Sequence, residues 1–435
     1  MVGHVTPGLP IARALVAQGH EVAWYTGRRF RAKIEATGAR YLPMKRAVDY
    51  SEGDVDDAYP ERRTLQGLPK LRYDMKHIFA DPIPAQMEDF REILREFPAD
   101  ALLADTGFVG AGRLHEKGEA PPWAIFGITA LGIVSGDTAP FGLGLPPDQS
   151  APGRLRNRLL YRLCDDVLFR DVNIHYGKIR TDIGLPPIAG NLFDSQRSPY
   201  LLLQTTVAEF EYPRRDLPPQ VHYVGAFAPD RPAEVREKPS WWADLDAGKP
   251  VVMVTQGTVA NDLRELVRPT LDALTGEDVV VVVTTAGGKL EGPIPANARV
   301  AAFLPYDDLL PKVDLLVTNG GYGTVQMALA KGVPIVGCGH TEDKPEICQR
   351  IEWSGAGLRV RARKPSPEAI RTAVRRVLSD SRFRARAASL QAAYARHDPA
   401  AESACLLEQL AATGRPVYRN ASDSVELATA PRPKL

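Results

Sequence analysis

The chain has 435 residues, 44% of them hydrophobic and 25% charged, with a formal net charge of +1. That length exceeds one ordinary core and predicts two or three domains, while the near-neutral charge removes the electrostatic case for a nucleic-acid or anionic-membrane partner. Small-molecule chemistry is the better expectation. Four cysteines, Cys164, Cys338, Cys348 and Cys405, form neither a disulfide framework nor a CxxC metal pattern. No apolar run reaches membrane-spanning length and the first residues lack a signal-peptide pattern, so a reduced, cytoplasmic setting is expected.

In chain order, a helical stripe of Ile11, Ala12, Leu15 and Val16 stops at Gly19, and residues 21–26 read as a buried strand. A second stripe (Met87, Phe90, Ile93, Leu94) ends before Pro98 and leads into a strand at 100–106. Residues 60–90 and 135–200 mix Pro, Gly, aromatics and charge without a clean period, and read as loops around a pocket. Strands at 200–206 and 221–227 close this half. The proline-rich stretch 229–250, with Trp241 and Trp242, reads as a linker. Alternation then restarts with a strand at 251–257, a helix carrying Leu263, Leu266, Val267 and Leu271, and strands at 279–288, 300–305 and 315–321. These strands are apolar along their length, as in parallel sheets covered on both faces. Helix-forming sequence runs from 367 to 410, and the tail after Thr413 is expected to be mobile.

The most informative stretch is TNGGYGTVQMALAKGVPIVGCGHTEDKPE, residues 318–346, where an apolar strand runs into a glycine-rich turn that opens a small-residue helix. Gly320, Gly321 and Gly323 would admit positive φ and let the backbone approach phosphate oxygens; free helix amides after Thr324 would face the anion. A second apolar strand at 333–338 and a polar cluster at 341–344 complete a βαβ unit whose next loop returns to the same crevice. A purely structural glycine turn is the competing reading. Asp-x-Asp triplets at 54–56 and 244–246 lie in polar, linker-like sequence and read as solvated loops, so no metal site is expected.

Together these motifs resemble the inverting, family 1 nucleotide-sugar glycosyltransferases of GT-B architecture, especially their bacterial macrolide-type branch. The resemblance runs through nearly the whole chain and is most specific between residues 250 and 360. It implies an α/β fold of two doubly wound, Rossmann-like domains facing a central cleft. The acceptor-binding domain would span 1–228 without the family's first strand, leaving its neighbours' ladder groups exposed; a linker at 229–250 would lead to a donor-binding domain at 251–395. A C-terminal helix at 396–412 and the tail at 413–435 would follow.

Within the family's donor motif, Asn319 replaces a diphosphate-binding histidine and keeps one amide donor, whereas Gly321, Gly323, Thr324, Gly332, Val333 and Pro334 match. Asp343 falls on the aspartate that holds sugar hydroxyls, and Lys344 on a glutamine, with Glu342 beside them. Lys344 would neutralise the diphosphate or pair with an acidic sugar, unless it is a solvated surface lysine. Gly257 and Thr258 match the phosphate-side turn, and Phe303 with Leu304 stands where the family stacks a ring on the base, the plain alternative being a core aromatic. Met327 stands where many UDP-sugar enzymes place a ribose-binding glutamate; this leans toward a dTDP-sugar, with Gln326 as a substitute acceptor.

By the same resemblance His4, in VGHVTPGLP, is the general base and Asp105, in LLADTGF, its orienting carboxylate. A surface or capping histidine and a capping aspartate are the plain alternatives. Acceptor walls are expected from 73–79 and 126–145, with Tyr73, Phe79, Phe126 and Phe141 as candidates. The implied activity is metal-independent transfer of a hexose from a UDP- or dTDP-sugar to a hydroxyl of a lipophilic polyketide, macrolide or phenolic aglycone, with no cofactor beyond that co-substrate. A nucleotide-sugar epimerase shares the architecture and would interconvert sugars without an acceptor. A non-catalytic partner of a true transferase would bind no nucleotide sugar.

Overall fold

The computed structural model describes residues 2–51, 55–187, 192, 197–227, 238–256 and 262–420. Among these residues the first half contributes six short strands: β1 (Ala23–Thr26), β2 (Arg40–Pro43), β3 (Leu102–Asp105), β4 (Trp123–Gly127), β5 (Leu201–Gln204) and β6 (Val221–Tyr223). They form two separate parallel sheets, β1-β2 and β3-β4-β5-β6. Side chains, not a ladder, join the two. Tyr25 on β1 meets the rings of Phe90 and Phe108 edge-on at 5.3 and 5.6 Å, and its hydroxyl donates to Asp89 at 2.7 Å. The helix Leu9–Ala17 serves both sheets: Leu9 and Ala12 pack with Phe30 and Ile34 near β1, and Ile11 packs with Ala124 and Leu203 of β4 and β5.

The second half contributes β7 (Val251–Thr255), β8 (Val280–Thr284), β9 (Ala298–Ala301), β10 (Leu315–Thr318), β11 (Ile335–Gly337) and β12 (Gly357–Arg359) in one parallel sheet of order β9-β8-β7-β10-β11-β12. Strands β7, β8 and β10 are buried at every position, because both faces are covered. Val252 and Val254 face the helices Val267–Leu274 and Pro367–Ser379, while Val251 and Met253 face Tyr322–Ala330 and Ser381–Tyr394. Strand order reverses between β7 and β10, which opens a crevice at their carboxyl ends, the usual ligand position in such sheets.

The halves share their cores. Ala130, Val207 and Phe210 of the first half belong to the second half's cluster, and the helix Pro399–Thr413 returns to lay Leu407 and Leu410 against Ile11 and Phe126. Residues after that helix are docked as far as 420: Val417 is buried and its amide donates to the Tyr200 carbonyl at 2.9 Å, while residues 421–435 lie outside the described residues. In the stretch 229–250, residues 238–250 are described, and Trp241 and Trp242 lie in the 3₁₀ helix Ser240–Asp246 against the core.

Two stretches read as loops are largely helical: Gly67–Asp74, Ile83–Glu96, Ala151–Leu163 and Arg170–Asp182, with π-helical turns at Met75–Ala80 and Cys164–Leu168. A π turn inserts an extra residue and shifts the apolar stripe, which hides its period. In Ala151–Leu163 the stripe also faces outward, since Gly153 and Asn157 are buried and Leu155, Leu159 and Leu163 are exposed. No described helix is long and apolar enough to cross a membrane.

Candidate active site

Asp105 ends β3, at the carboxyl edge of its sheet, and its carboxylate accepts the Gly107 amide at 2.6 Å. The same carboxylate holds Nδ1 of His4 at 2.9 and 3.0 Å, across 101 residues of sequence. An imidazole held by one nitrogen on a carboxylate has a fixed orientation and leaves Nε2 for proton transfer. Phe79 stands beside this pair: a Cβ on Gly107 would come within 3.2 Å of its ring, 3.0 Å of Asp105 Oδ1 and 3.8 Å of His4 Cε1. Sequence reasoning missed Tyr50. Burial pushes its phenol up to about 12, with Tyr59 and the nearby Asp105 charge adding.

The other acceptor candidates divide. Tyr73 packs against His77 with ring centroids 4.4 Å apart and planes tilted by 50°, and it donates to Glu61 at 2.7 Å. Phe126 is core: it lies mid-sheet against Phe227 and the returning C-terminal helix, because its strand is covered on both faces, so it walls no acceptor pocket. Phe141 is exposed, on a loop that packs it over Gly132.

On the side expected to bind the donor, the chain leaves β10 through Asn319 and Gly320. Of the three glycines expected to need positive φ only Gly320 does, at +88°; a Cβ there would sit 2.8 Å from Cys348 Sγ. Gly321 has φ −58° as the N-cap, and the helix begins at Tyr322, before Thr324. The Val325 amide bonds back to Gly321, so the unspent amides are those of Tyr322, Gly323 and Thr324. Gly323 is exposed, with no atom within 4 Å of a built Cβ, so the turn is open. The Asn319 amide is already committed, donating to the Gln256 carbonyl across the β7–β10 crevice, and its Oδ1 is buried without a partner among the described residues. Gly257 and Thr258 lie outside the described residues.

Phe303 is 59% exposed near Gly287, not a core aromatic, whereas Leu304 beside it is buried in the core. Lys344 is not a solvated lysine: it is 7% exposed, and its ammonium pairs with Glu342, itself held at φ +56°. Gln326 cannot serve the ribose, since it is buried and accepts the Tyr394 hydroxyl. Asp244 and Asp246 are engaged by Arg299 and Lys312, and Asp56 by Arg62; Asp54 lies outside the described residues. Another residue missed in the sequence, His340, follows β11, and burial lowers its pKa.

The two sides meet. Thr129, just past the end of β4, donates to Asp343 Oδ2 at 2.5 Å; burial raises that carboxyl's pKa against the opposing effects of Thr129 and the Lys344 charge. Gln204, at the end of β5, donates to Tyr322 at 2.9 Å, at the first turn of the helix Tyr322–Ala330. Below them Glu211, fully buried, accepts Arg350 at 2.7 and 2.9 Å and Arg214 at 3.2 Å. Arg350 also reaches Glu346 at 2.9 Å, and Glu346 takes the amides of Gly142 and Gly144 at 3.1 and 2.7 Å. The pairings that cross between the halves, Thr129 to Asp343, Gln204 to Tyr322, Glu211 to Arg350 and Glu346 to the amides of Gly142 and Gly144, carry no local sequence signal, because each joins residues more than a hundred positions apart.

The family model for the C-terminal domain of erythromycin biosynthesis protein CIII-like proteins matches residues 268–410. The chain is 46% identical to 4'-demethylrebeccamycin synthase of Lentzea aerocolonigenes, over 94% of this chain and 97% of that protein. It is 36% identical to UDP-glycosyltransferase 2 of Phaeomoniella chlamydospora over 94% of each. Among solved structures, the calicheamicin glycosyltransferase CalG4 superposes with a TM-score of 0.72 at 21% identity, covering 95% of this chain and 96% of that one. Glycosyltransferase VinC, solved in complex with dTDP, gives 0.65 at 21% identity, with 95% and 97% covered. The full-length identity to curated glycosyltransferases, on a fold with these structural neighbours, establishes that the chain belongs to the family 1, GT-B glycosyltransferases of the erythromycin CIII, natural-product type.

Proposed function

We propose that the chain transfers a hexose, with inversion, from a UDP- or dTDP-sugar to a hydroxyl of a lipophilic aglycone of the polyketide, macrolide or phenolic kind, acting in the cytosol. His4 Nε2 takes the acceptor proton while the acceptor oxygen attacks the anomeric carbon. The bond from that carbon to the diphosphate oxygen breaks, and the nucleoside diphosphate leaves with the electron pair. Asp105 fixes the imidazole and stabilises the imidazolium that forms. The amides of Tyr322, Gly323 and Thr324, with the helix dipole behind them, receive the leaving charge, aided by Lys344 and, in this reading, Gly257 and Thr258. Asp343, steadied by Thr129, accepts sugar hydroxyls, and Phe303 stacks on the base. Residues 1–228 carry the acceptor side and 251–395 the donor side. With Met327 in place of a carboxylate and Gln326 turned inward, this helix offers the ribose 2'-hydroxyl no strong acceptor, so the reading expects dTDP-sugars to bind at least as well as UDP-sugars.

The observation that carries this reading is the His4–Asp105 bond at the end of β3, beside the strand β4, two residues past whose end Thr129 reaches Asp343. His4→Ala should lower kcat about a hundredfold to ten-thousandfold while leaving the donor Kd from calorimetry unchanged. Unchanged turnover would remove the base assignment. Incubating a nucleotide sugar without acceptor separates the epimerase reading, which requires interconversion.

A further inference from the structure

The helix Ala151–Leu163 and its extension Cys164–Leu168 are packed inside out. Gly153, Asn157 and Cys164 face the protein and are buried, whereas Leu155, Leu159, Leu163 and Val167 are 55%, 55%, 46% and 61% exposed. A spacing of four residues stacks the three leucines in one line on the outer face. A helix that keeps an asparagine inside and a line of leucines outside presents a surface that gains by being covered. Leu155, Leu159 and Leu163, with Pro152, Arg156 and Leu160, line a shallow apolar groove there.

Charge selects the cover. Residues 151–170 hold five arginines (Arg154, Arg156, Arg158, Arg162, Arg170) against Asp165 and Asp166, a local net charge of +3 in a chain whose total is +1. At 100° per residue Arg158 and Arg162 flank the leucine line on one side and Arg156 on the other. Arg158 and Arg162 are exposed and have no ion pair or hydrogen bond among the described residues. We propose that this face docks on an anionic lipid bilayer, the leucines entering the acyl boundary and the arginines meeting lipid phosphates. The near-neutral whole-chain charge, which argued against such a partner, averages this patch away. A second copy fits less well, because twofold pairing of the face would bring its arginine margins together.

The docking helix is continuous with the acceptor side. The next helix, Arg170–Asp182, ties Asp171 to Arg72 at 2.8 Å and to Lys76 at 2.7 Å, and Lys76 lies in the π turn that carries Phe79. Docking would thus act one helix away from the segment that carries Phe79, a link that matters for acceptor entry only on the lipophilic-acceptor reading, on which the docking itself does not rest.

Flotation of the full chain with vesicles of phosphatidylcholine plus phosphatidylglycerol, and with phosphatidylcholine alone, tests it. The protein should float with the anionic vesicles at low salt and be released by high salt or by omission of the anionic lipid. The triple variant Leu155→Ser, Leu159→Ser, Leu163→Ser, and separately Arg158→Glu with Arg162→Glu, should each lose on the order of tenfold in vesicle partitioning. Both should keep the wild-type melting temperature and donor Kd, since every changed residue is exposed. The proposal is overturned if the wild type ignores anionic vesicles, if the leucine variant floats as well as the wild type, or if light scattering shows that the leucines drive self-association in place of vesicle binding.

Discussion

The two halves solve the same packing problem in different ways. The second half is one uninterrupted parallel sheet whose central strands carry almost nothing but Val, Leu and Met, buried on both faces. The first half is broken between β1 and β3, and across that break the chain adds to the ring and helix packing a set of aimed polar contacts: Tyr25 to Asp89, Asp89 to the amides of residues 45–47, and His4 to Asp105. Apolar burial is non-directional and insensitive to pH, whereas carboxylate hydrogen bonds are directional and titrate. The half that would carry the proton chemistry is therefore also the half held by titratable groups.

The seam between the halves is where that contrast can be broken most severely. Arg350, with Glu211 and Glu346 on its guanidinium and the Tyr212 ring 4.0 Å away, is buried and charged where the second sheet's style is apolar. Arg350→Met should cost about 3–5 kcal/mol, because Glu346 is left buried without a cation and Glu211 keeps only Arg214. Denaturant unfolding should then split into two transitions, and donor affinity should fall with the loosening of the segment that carries Asp343 and Lys344. A single transition at the wild-type midpoint would show that the shared apolar core alone couples the halves.

Asp89 probes the first sheet's side of the comparison. Burial alone pushes its carboxyl up, but the Tyr25 hydrogen bond and the amides of Arg46, Lys45 and Ala47 more than offset this and hold its pKa below the ordinary carboxylate range. A carboxyl depressed in the folded state lends stability that is complete above its unfolded pKa, about 3.9, and is lost as pH falls through the lower folded value. Asp89→Asn should cost about 1.5–3 kcal/mol at neutral pH. The gap from wild type should stay level down to about pH 5 and narrow below about pH 4. Hydrogen exchange read separately on 23–26 and 280–284 should show the loss in β1 and spare β8. Equal loss in both would mean that the sheets unfold as one unit and that the contrast is only architectural.

What the sequence made legible follows the same divide. The strands of the second half were readable because runs such as VVVVV have no other stable fate, and the glycine turn because a phosphate turn has local chemistry. Even there the turn's detail was not readable: which glycine needs positive φ depends on Cys348 standing behind Gly320, and Asn319 is engaged by a carbonyl from the neighbouring strand. His4 and Asp105 could be paired only through resemblance, since 101 residues separate them. The helices of 60–90 and 135–200 stayed hidden because π turns displace their stripes and because one of them points its leucines outward. Phe126 misled for the complementary reason: an aromatic near a strand end reads the same whether the strand's neighbour is solvent or another helix, and here the chain's own C-terminus covers it.

The smallest expected effect sharpens the comparison within the second half itself. Phe303 and Leu304 are neighbours at the end of one apolar run, yet the ring is 59% exposed and the leucine only 5%. An exposed ring adds little to folding, because its apolar surface stays in water in either state. If Phe303 stacks on the base of the donor, Phe303→Ala should leave the melting temperature unchanged and weaken nucleotide-sugar binding by about 1 kcal/mol, roughly fivefold in Kd. UDP- and dTDP-sugars should lose alike, since uracil and thymine present similar π faces and a stacked ring does not read the ribose 2'-hydroxyl. A Kd that stays put would leave Phe303 as an exposed ring with no part in donor binding.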